Sequence, residues 1–244
     1  MNKRFWMLLA VAVLLTTLCI GAAAENGGQC GENVFWMLSG DGKTLTILGT
    51  GEMADYAEPD EVPWHSQCES ITRAVVGEGI TRIGNLAFIE CRSMTGVSLP
   101  DSLTAIGQHA FDYCTGLTEV SLPGGLTEID ACAFRFCGSL KEILFPVGLK
   151  ELGTQAFAHC TGLTAVDLPE SVDHVSYLAF GDCAALSSVV LRNPNAKIGD
   201  GDLDVFIDCP AGLVLRGLAG STLETYAAAA GIAFEVLEDR KSVV

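Results

Sequence analysis

Apolar and polar positions recur with one fixed period through the middle of the chain. Six cysteines, from Cys68 to Cys183, follow one another at intervals of 23 residues. An Ala-Phe pair begins four residues before five of them. A further copy, Val205-Phe206 with Cys209, follows after an expansion of three residues. A fixed period of this kind indicates a repeated local structure. The two series are Cys68, Cys91, Cys114, Cys137, Cys160, Cys183 and Cys209, and Phe88, Phe111, Phe134, Phe157, Phe180 and Phe206.

Three consecutive units from residue 94 read MTGVSLPDSLTAIGQHAFDYCTG, LTEVSLPGGLTEIDACAFRFCGS and LKEILFPVGLKELGTQAFAHCTG. Leu, Val or Ile at fixed offsets in a unit of this length is the signature of a leucine-rich repeat. One unit has too few apolar side chains to enclose a core, so the units must stack and share one. We therefore predict a repeat solenoid of ~23-residue units, mostly strand and loop. In one unit the inward side chains are expected to be Leu117, Val120, Leu122, Leu126, Ile129, Ala133 and Phe134.

Each unit contains three segments with different predicted structures. The segment L-x-x-V-x-L-P alternates between apolar and polar positions and ends in a proline, which predicts a strand, and stacked copies predict a parallel sheet on one face. The segment L-x-x-I-G predicts a bend on the opposite wall. The segment A-F-x-x-C predicts a short helical turn.

With their flanking segments, these units resemble the BspA-type, or treponemal-type, leucine-rich repeats of bacterial surface and secreted proteins, over about residues 30–237. The segment CGENVFWMLSGDGKTLTILGTGEM, followed by VPWHSQC, is similar to the N-terminal β element of that family. The segment LRGLAGSTLETYAAAAGIAFEVLE is similar to its C-terminal unit, with a short helix over residues 221–230. The resemblance implies an N-terminal β capping region at 25–67, repeats at 68–211, a C-terminal capping unit at 212–237 and a tail at 238–244.

The first 24 residues predict a secretory signal peptide. Lys3 and Arg4 precede an apolar run and the small-residue segment GAAA, in the order that export signals have. The apolar run is shorter than the ~20 residues that a membrane span needs. Leu18 before Cys19 argues against a lipid anchor, which would need a small residue there. The tail EDRKSVV carries neither a sorting motif nor an apolar span. We therefore expect a secreted, extracellular protein without stable membrane insertion, attached to a surface only through a partner.

The charge balance limits the classes of partner. The chain has 30 acidic residues against 14 lysines and arginines, and signal cleavage would remove two of the cations, which takes the net charge from −16 to −18. A surface this negative repels nucleic-acid phosphates and anionic lipid headgroups. We expect no nucleic-acid partner, and neutral or basic ligands are favoured. A purely solubilising role for the acidic residues stays open.

The cysteine series runs parallel to the predicted stack. Adjacent cysteines would have Cα atoms within disulfide range, but parallel side chains would hold the Cβ atoms too far apart for a bond. We therefore predict reduced, buried and unreactive thiols that behave as small apolar residues. Cys30 and Cys132 lie outside the series, and their separation along the stack argues against a bridge between them. The spacing shows no C-x-x-C pair or Cys/His pattern typical of a metal site.

The remaining polar residues form no catalytic motif. None of His65, His109, His159 and His174 has a nucleophile and an orienting acid at a recognisable spacing, and no glycine run forms a phosphate-binding loop. We expect no enzyme activity and no cofactor.

One acidic stretch, NPNAKIGDGDLDVFIDC, has a composition that Ca²⁺ sites share. It lacks the glycine and distal glutamate of an EF-hand, so we predict a solvated loop and no metal site, with calcium as the alternative. The oxygen-bearing residues concerned are Asn193, Asn195, Asp200, Asp202, Asp204 and Asp208.

Outward positions of the predicted strands form three columns of mostly short, polar side chains. Repeat proteins use regular surfaces of this kind for extended contacts, although the aromatic and arginine side chains that interfaces favour are few. A purely structural role for the threonines and serines stays open. Val75, Leu144 and Val190 are the apolar exceptions, where a ligand is expected first. The candidate ligand-binding residues are Arg73, Val75, Glu119, Lys141, Glu142, Leu144, Asp167 and Val190.

Two hypotheses for the function follow. The first is an exported binding or adhesion protein that recognises a protein or cell-surface ligand on its solenoid face, as the family resemblance implies. The second is a structural scaffold or a self-assembling exported protein.

Overall fold

The structure, a computed structural model, describes residues 26–199 and 205–238. The predicted signal peptide at 1–24, nearly all of the predicted tail, and Asp200, Asp202 and Asp204 of the acidic stretch lie outside these residues. The described chain winds into stacked coils, and each coil of a repeat passes through three walls. The predicted repeat solenoid is therefore confirmed.

The strands and helices are short. In chain order the strands are β1 (Gly27–Gly31), β2 (Val34–Leu38), β3 (Thr44–Gly49), β4 (Gly51–Glu52), β5 (Arg73–Val76), β6 (Ile80–Ile83), β7 (Gly96–Ser98), β8 (Ala105–Ile106), β9 (Glu119–Val120), β10 (Glu128–Ile129), β11 (Glu151–Leu152), β12 (Ala165–Leu168), β13 (His174–Val175), β14 (Ser188–Leu191), β15 (Lys197–Ile198), β16 (Val214–Gly217) and β17 (Ala233–Val236). The helices are the 3-10 segments Pro59–Glu61 and His65–Gln67, and α1 (Thr222–Ala230). Among the residues that the structure describes, no helix has the length and apolar content that crossing a bilayer requires.

The L-x-x-V-x-L-P segments form the predicted parallel sheet, which we call the front sheet. Strands β1 to β3 are antiparallel, and β3 continues in parallel into β5, β7 and β9. A second part contains β12, β14, β16 and β17, also in parallel. Equivalent repeat positions face each other, since Arg73 pairs with Gly96 and Gly96 with Glu119. The register therefore aligns the outward side chains in columns.

The front sheet is interrupted at residues 141–146, where a strand was predicted and none forms. Phe145 occupies the position that other coils fill with leucine, and its ring contacts Phe157 edge-on with centroids 5.5 Å apart. The coil keeps a backbone bond to the next one, because the Thr164 N–H donates to the Lys141 carbonyl at 3.1 Å. Leu144 and Val147 of this coil are more than four-fifths exposed.

The L-x-x-I-G segments form a second parallel sheet, the back sheet. Within the described ranges it contains seven strands in the order β15-β13-β11-β10-β8-β6-β4. Its inward residues, such as Ile106, Ile129 and Leu152, are fully buried. The bend predicted for this segment was wrong, because the segment forms a strand. A strand of two residues is too short to leave an alternating pattern in the sequence, so the sequence did not indicate it.

The A-F-x-x-C segments form the third wall, which we call the turn wall. They were predicted as short helical turns, but the structure has tight turns in which His109 and Tyr113 adopt left-handed φ values of 55° and 59°. Alternate N–H groups donate to the next coil, as from His109 to the Ala131 carbonyl at 2.9 Å and from Phe111 to the Ala133 carbonyl at 2.8 Å. The intervening N–H groups bond within the segment, as from Ala110 to the Gly107 carbonyl at 3.2 Å, so each segment is a series of tight turns and no continuous helix forms.

The core contains a column of stacked phenylalanine rings. Centroids of neighbouring rings are 5.0–5.1 Å apart from Phe88 to Phe157, with planes within 7° of parallel. At the N-terminal end Trp64 is fully buried, and its Nε1 donates to the Ala87 carbonyl at 2.8 Å. At the other end Tyr226 of α1 packs edge-on against Phe206. This phenylalanine column is formed by Phe88, Phe111, Phe134, Phe157, Phe180 and Phe206.

Both ends of the stack are closed by non-repeat structure. The antiparallel strands β1 to β3 extend the front sheet at the N-terminal end. The helix predicted over 221–230 is present as α1, with Ser221 as its N-cap and Gly231 as a left-handed C-cap with φ of 68°. The Ser221 hydroxyl accepts the Glu224 N–H at 3.3 Å, an ordinary capping bond. The terminal hydrophobic surfaces are thereby covered.

The cysteine ladder requires one correction. Cys68 and Cys91 form a disulfide, with Cα atoms 4.4 Å apart, although all ladder thiols were predicted to be reduced. Cys68 directly follows the 3-10 helix His65–Gln67, whereas Cys91 ends a turn of the first A-F-x-x-C segment. The later cysteines follow the repeat, and each thiol donates to the phenylalanine carbonyl of the preceding coil, as from Cys114 to Phe88 at 3.1 Å.

The other cysteines of the described residues are free thiols, most of them buried. Cys30 and Cys132 are both buried and outside any disulfide, the Cys132 thiol donates to Gln155 Oε1 at 3.5 Å, and Cys209 is partly exposed. Burial raises the pKa of Cys160 to about 12 and that of Cys209 to about 11. These thiols are therefore protonated at neutral pH, where the thiolate is the reactive form.

We expect Phe134→Ala to lower the free energy of unfolding by about 3–5 kcal/mol, because a fully buried ring between Phe111 and Phe157 is lost. Phe136→Ala is the matched control, since it removes a half-buried ring from the outside of the same coil and is expected to cost about half as much. Urea unfolding followed by circular dichroism measures both. Equal losses would show that the interior column does not hold the coils together.

Non-reducing peptide mapping should find the Cys68–Cys91 disulfide and seven free thiols among the described residues. Native protein at pH 8 should react slowly with iodoacetamide, with Cys209 first, because burial raises the pKa values of the thiols. Denaturant should release all seven thiols. Rapid labelling of the native ladder, or further disulfides within it, would contradict the structure.

Candidate functional site

The candidate ligand residues predicted from the sequence all lie on the front-sheet side but do not form one cluster. Arg73 and Val75 are on β5, and Glu119 is on β9. Val75 faces Ser98 across the register, and Val190 of β14 faces Asp167. The three apolar candidates are therefore separated by polar positions. The remaining candidates, Lys141, Glu142 and Leu144, are exposed in the coil where the sheet is interrupted.

The C-terminal half of the front sheet pairs its charges internally. Asp167 accepts two hydrogen bonds from Arg192, at 2.9 and 2.6 Å, and this carboxylate raises the pKa of the arginine. Glu235 of β17 accepts a hydrogen bond from Arg216 Nε at 2.8 Å. These charges are already satisfied within the protein.

Threonines and serines at the first outward position of the front strands, Thr95, Thr118, Thr164 and Ser187, bond to the backbone of the preceding coil. The Thr118 hydroxyl donates to the Thr95 carbonyl at 3.0 Å, and the Thr95 hydroxyl donates to the Thr72 carbonyl at 3.2 Å. Ser187 repeats the contact with Thr164 at 3.0 Å. This column links one coil to the next, which is a structural role.

A groove of about 490 Å³ lies on the turn wall, near its N-terminal end. Residues 56–59 form one side of the groove, and side chains of three successive turns form the rest. Its volume lies within the ~300–1,000 Å³ range of ligand pockets. The polar and aromatic side chains that line it are Tyr56, Glu58, Asn85, Glu90, Gln108, His109, Asp112, Tyr113 and Arg135.

A buried carboxylate organises the floor of the groove. Asp112 is 1% exposed, and both of its oxygens accept hydrogen bonds from Arg135, at 3.1 Å from Nε and 2.7 Å from Nη2. His109 Nδ1 lies 2.8 Å from the same carboxylate. The carboxylate raises the pKa of Arg135, whose Nη1 also donates to Gln155 at 3.3 Å. The floor is thus a closed ionic network between neighbouring coils.

A column of rings continues along the outer surface from the groove. Tyr113 stacks on Phe136 with centroids 4.3 Å apart, and Phe136 stacks on His159 at 4.2 Å. The Arg135 guanidinium lies 5.5–5.8 Å from two of these rings, within cation–π range. We call Tyr113, Phe136 and His159 the ring column.

Sequence reasoning missed both the groove and the ring column. His159 was considered only as a histidine without catalytic partners, although three ring-bearing residues stand in succession at the position before the cysteine. That succession is the signal that identifies the column. The groove leaves no comparable signal, because residues 56–59 come from outside the repeats and the register alone does not place them.

The acidic stretch is described only in part. Asp208 has a left-handed φ of 53°, and Asn193 bonds to the Val172 carbonyl at 2.9 Å. Within 26–199 and 205–238, no group of three or more His, Cys, Asp or Glu side chains is arranged to hold a metal ion. The alternative that this stretch binds Ca²⁺ depends on Asp200, Asp202 and Asp204, which lie outside those ranges.

The repeats match a known family. The BspA type leucine rich repeat region matches residues 65–210 in six copies. The chain therefore belongs to the BspA-type leucine-rich-repeat family, whose repeats typically mediate protein binding and whose members are typically surface or secreted proteins. No curated protein matches the chain.

Solved bacterial structures share the fold. A leucine-rich-repeat protein of T. pallidum (TpLRR) is 28% identical, with a TM-score of 0.54, over 82% of this chain and 94% of that one. The pneumococcal vaccine antigen PcpA is 16% identical, with a TM-score of 0.55, over 84% of this chain and 46% of that one, and shows likeness of fold alone.

We expect Arg135→Leu to destabilise the protein by about 3 kcal/mol, because it leaves the buried Asp112 carboxylate without its bidentate partner. Arg92→Leu is the matched control on the same wall. Its side chain is half exposed and 3.6 Å from Glu90, so a change below about 1 kcal/mol is expected. Thermal unfolding of both variants tests the difference, and similar shifts in Tm would contradict it.

Proposed function

We propose that this chain is an exported binding protein that recognises a protein or cell-surface ligand through the outer surface of its solenoid, without catalysis. The order of basic, apolar and small residues in the first 24 positions supports export. The Cys68–Cys91 disulfide also supports it, because disulfides persist in oxidising compartments. Family membership supports a protein-interaction role.

The observation that carries the proposal is the continuous core. Buried side chains extend without a break from Cys30 in β1 to Ala227 in α1, and the register repeats from coil to coil. Outer side chains are therefore held at fixed spacing along an extended surface, so little ordering entropy is lost on binding. Repeat proteins recognise partners through surfaces of this kind.

The excess of acidic residues favours some classes of partner over others. A net charge of −18 in the processed chain favours basic or neutral proteins and opposes nucleic acids and anionic membranes. No cofactor is needed for this role.

Biolayer interferometry with immobilised residues 25–244 tests the proposal against purified matrix glycoproteins, mucin and serum proteins. We expect saturable binding of at least one of them, with a Kd of about 1 μM or tighter, and no binding by the heat-denatured chain. Absence of binding across the panel would contradict the proposal. A hydrolytic activity that co-purifies with the chain, and is lost when a single acidic or serine residue is replaced, would contradict its non-catalytic part.

Self-assembly is the second candidate, and the open edge of the front sheet favours it. Strand β17 pairs with β16 on one side, and no described strand covers its other side. Val236 on this strand is 55% exposed. Exposed edges of this kind can pair with another chain. Size-exclusion chromatography with light scattering distinguishes the two candidate functions. A monomer that binds a ligand supports the first. Oligomers that grow with protein concentration in the absence of a ligand support the second.

A further inference from the structure

We propose that the turn-wall groove binds an uncharged sugar, carried as a glycan by a partner glycoprotein. The inference rests on the proposed function, and it adds the site and the chemical class of the ligand. It places this contact on the turn wall, whereas the sequence predicts ligand residues on the front sheet. The groove volume of about 490 Å³ is suitable for a small ligand of this class.

The ionic groups of the groove are mostly paired within the protein. Asp112 and Arg135 neutralise each other through their bidentate contact, and Glu90 has ion-pair partners at 3.6 and 3.8 Å. Glu58 is exposed and has no ion-pair partner within the described ranges. One exposed carboxylate holds a cation only weakly, and it opposes an anion. The charges of the groove therefore favour an uncharged ligand.

Two amide side chains of neighbouring coils supply hydrogen-bond donors to the groove. Asn85 Oδ1 accepts from Arg82 Nη2 at 2.8 Å and from the Gln108 N–H at 2.9 Å. These two bonds fix the orientation of the amide, and its Nδ2 makes no hydrogen bond with any described residue. The Gln108 side chain is exposed and is equally without a partner in that part of the chain. The groove thus presents one donor that is already oriented and a second amide beside it.

The same groove also presents hydrogen-bond acceptors. His109 Nδ1 lies 2.8 Å from the Asp112 carboxylate, which places the proton of the neutral imidazole on Nδ1 and leaves Nε2 as an acceptor. The Tyr113 hydroxyl, which both donates and accepts, is not bonded to any residue that the structure describes. The Glu58 carboxylate adds an acceptor at the edge of the groove. Free donors and free acceptors therefore occur together on one concave surface.

A sugar ring fits this combination better than the other classes of ligand. Each sugar hydroxyl rotates to donate or to accept, whereas the N–H and C=O groups of a peptide have fixed roles. The C–H face of the ring is apolar, and the groove offers it the side chains of Leu86 and Ile89 and the ring of Tyr113. A purely apolar ligand would cover the free amides without bonding them, which costs free energy.

The test titrates the methyl glycosides of glucose, galactose, mannose and N-acetylglucosamine into ¹⁵N-labelled residues 25–244. The side-chain amide signals of Asn85 and Gln108 report occupancy of the groove. We expect at least one glycoside to shift both signals, with a Kd of about 1–10 mM. The corresponding uronic acid, which has a carboxylate on the same ring, should bind about threefold more weakly because Glu58 repels it. A neutral Gly-Ser-Gly peptide with blocked ends should leave both signals unchanged.

Variants locate the contact. Asn85→Asp keeps the oxygen that is already bonded and replaces the free Nδ2 donor by an acceptor, so it should weaken the glycoside about tenfold, as followed at Gln108. Asn195→Asp is the matched control, because it makes the same change at an exposed asparagine outside the groove and should leave the Kd unchanged. Gln108→Leu, followed at Asn85, should weaken binding about threefold. Its side chain has no partner among the described residues, so this variant is expected to fold, and unfolding curves check all three.

The glycoprotein arm uses the proteins of the interferometry panel. A protein that binds the chain should lose that binding when its glycans are removed enzymatically, and Asn85→Asp should weaken it about tenfold. Binding that survives removal of the glycans would overturn the inference.

The sugar titrations overturn the inference under any of three results. These are no shift at Asn85 and Gln108 with any glycoside up to about 50 mM, equal weakening by Asn195→Asp and Asn85→Asp, or shifts with the peptide and none with the glycosides. Failure of the proposed function looks different, because a glycoside then occupies the groove although no protein of the panel binds. If a protein binds with and without its glycans, and no glycoside binds, the proposed function stands and the groove inference fails.

Discussion

The contact between phenylalanine rings of successive coils is the interaction on which the structure depends. Rings of the middle coils stack at 5.0–5.1 Å, and this spacing holds only if each coil contains the same number of residues. The distance is 5.7 Å from Phe157 to Phe180, still within the regular period, and 5.9 Å from Phe180 to Phe206, where the period expands by three residues. Uniform coil length is therefore the constraint that aligns both sheets, the turn wall and every outer column.

Much of the fold follows from this constraint and was predictable from the sequence. The repeated Phe and Leu positions identify the core, and the proline after each strand marks where the front sheet ends. The back sheet was not predictable, because strands such as Ala105–Ile106 form only when neighbouring coils are in place. The left-handed turns at His109 and Tyr113 were not predictable either, since neither is a glycine. The Cys68–Cys91 disulfide was not predictable either, because both cysteines share the 23-residue spacing of the ladder and the sequence does not distinguish them from the cysteines that stay free.

The candidate site was predictable only in part. Alternation along the strands correctly identified outward residues such as Arg73 and Glu119 as exposed. It did not show which outward side chains are already hydrogen-bonded within the protein. The structure shows that Asp167 is bonded to Arg192 and that the Thr95 hydroxyl is bonded to the backbone. The groove depends on a contact between a non-repeat segment and the repeats. A repeat pattern contains no information about such a contact.

The hydrogen bonds between coils on the turn wall align the peptide dipoles of that wall in one direction. On this wall the N–H groups of Phe88, Phe111 and Phe134 all donate toward the C-terminal end, so their peptide dipoles add instead of cancelling as they do in most sheets. The carbonyl ends, which carry partial negative charge, point toward the N-terminal end. There the Trp64 indole N–H meets the Ala87 carbonyl. The backbone itself thus adds negative potential at the end of the wall where the groove lies, independently of any ionisable side chain.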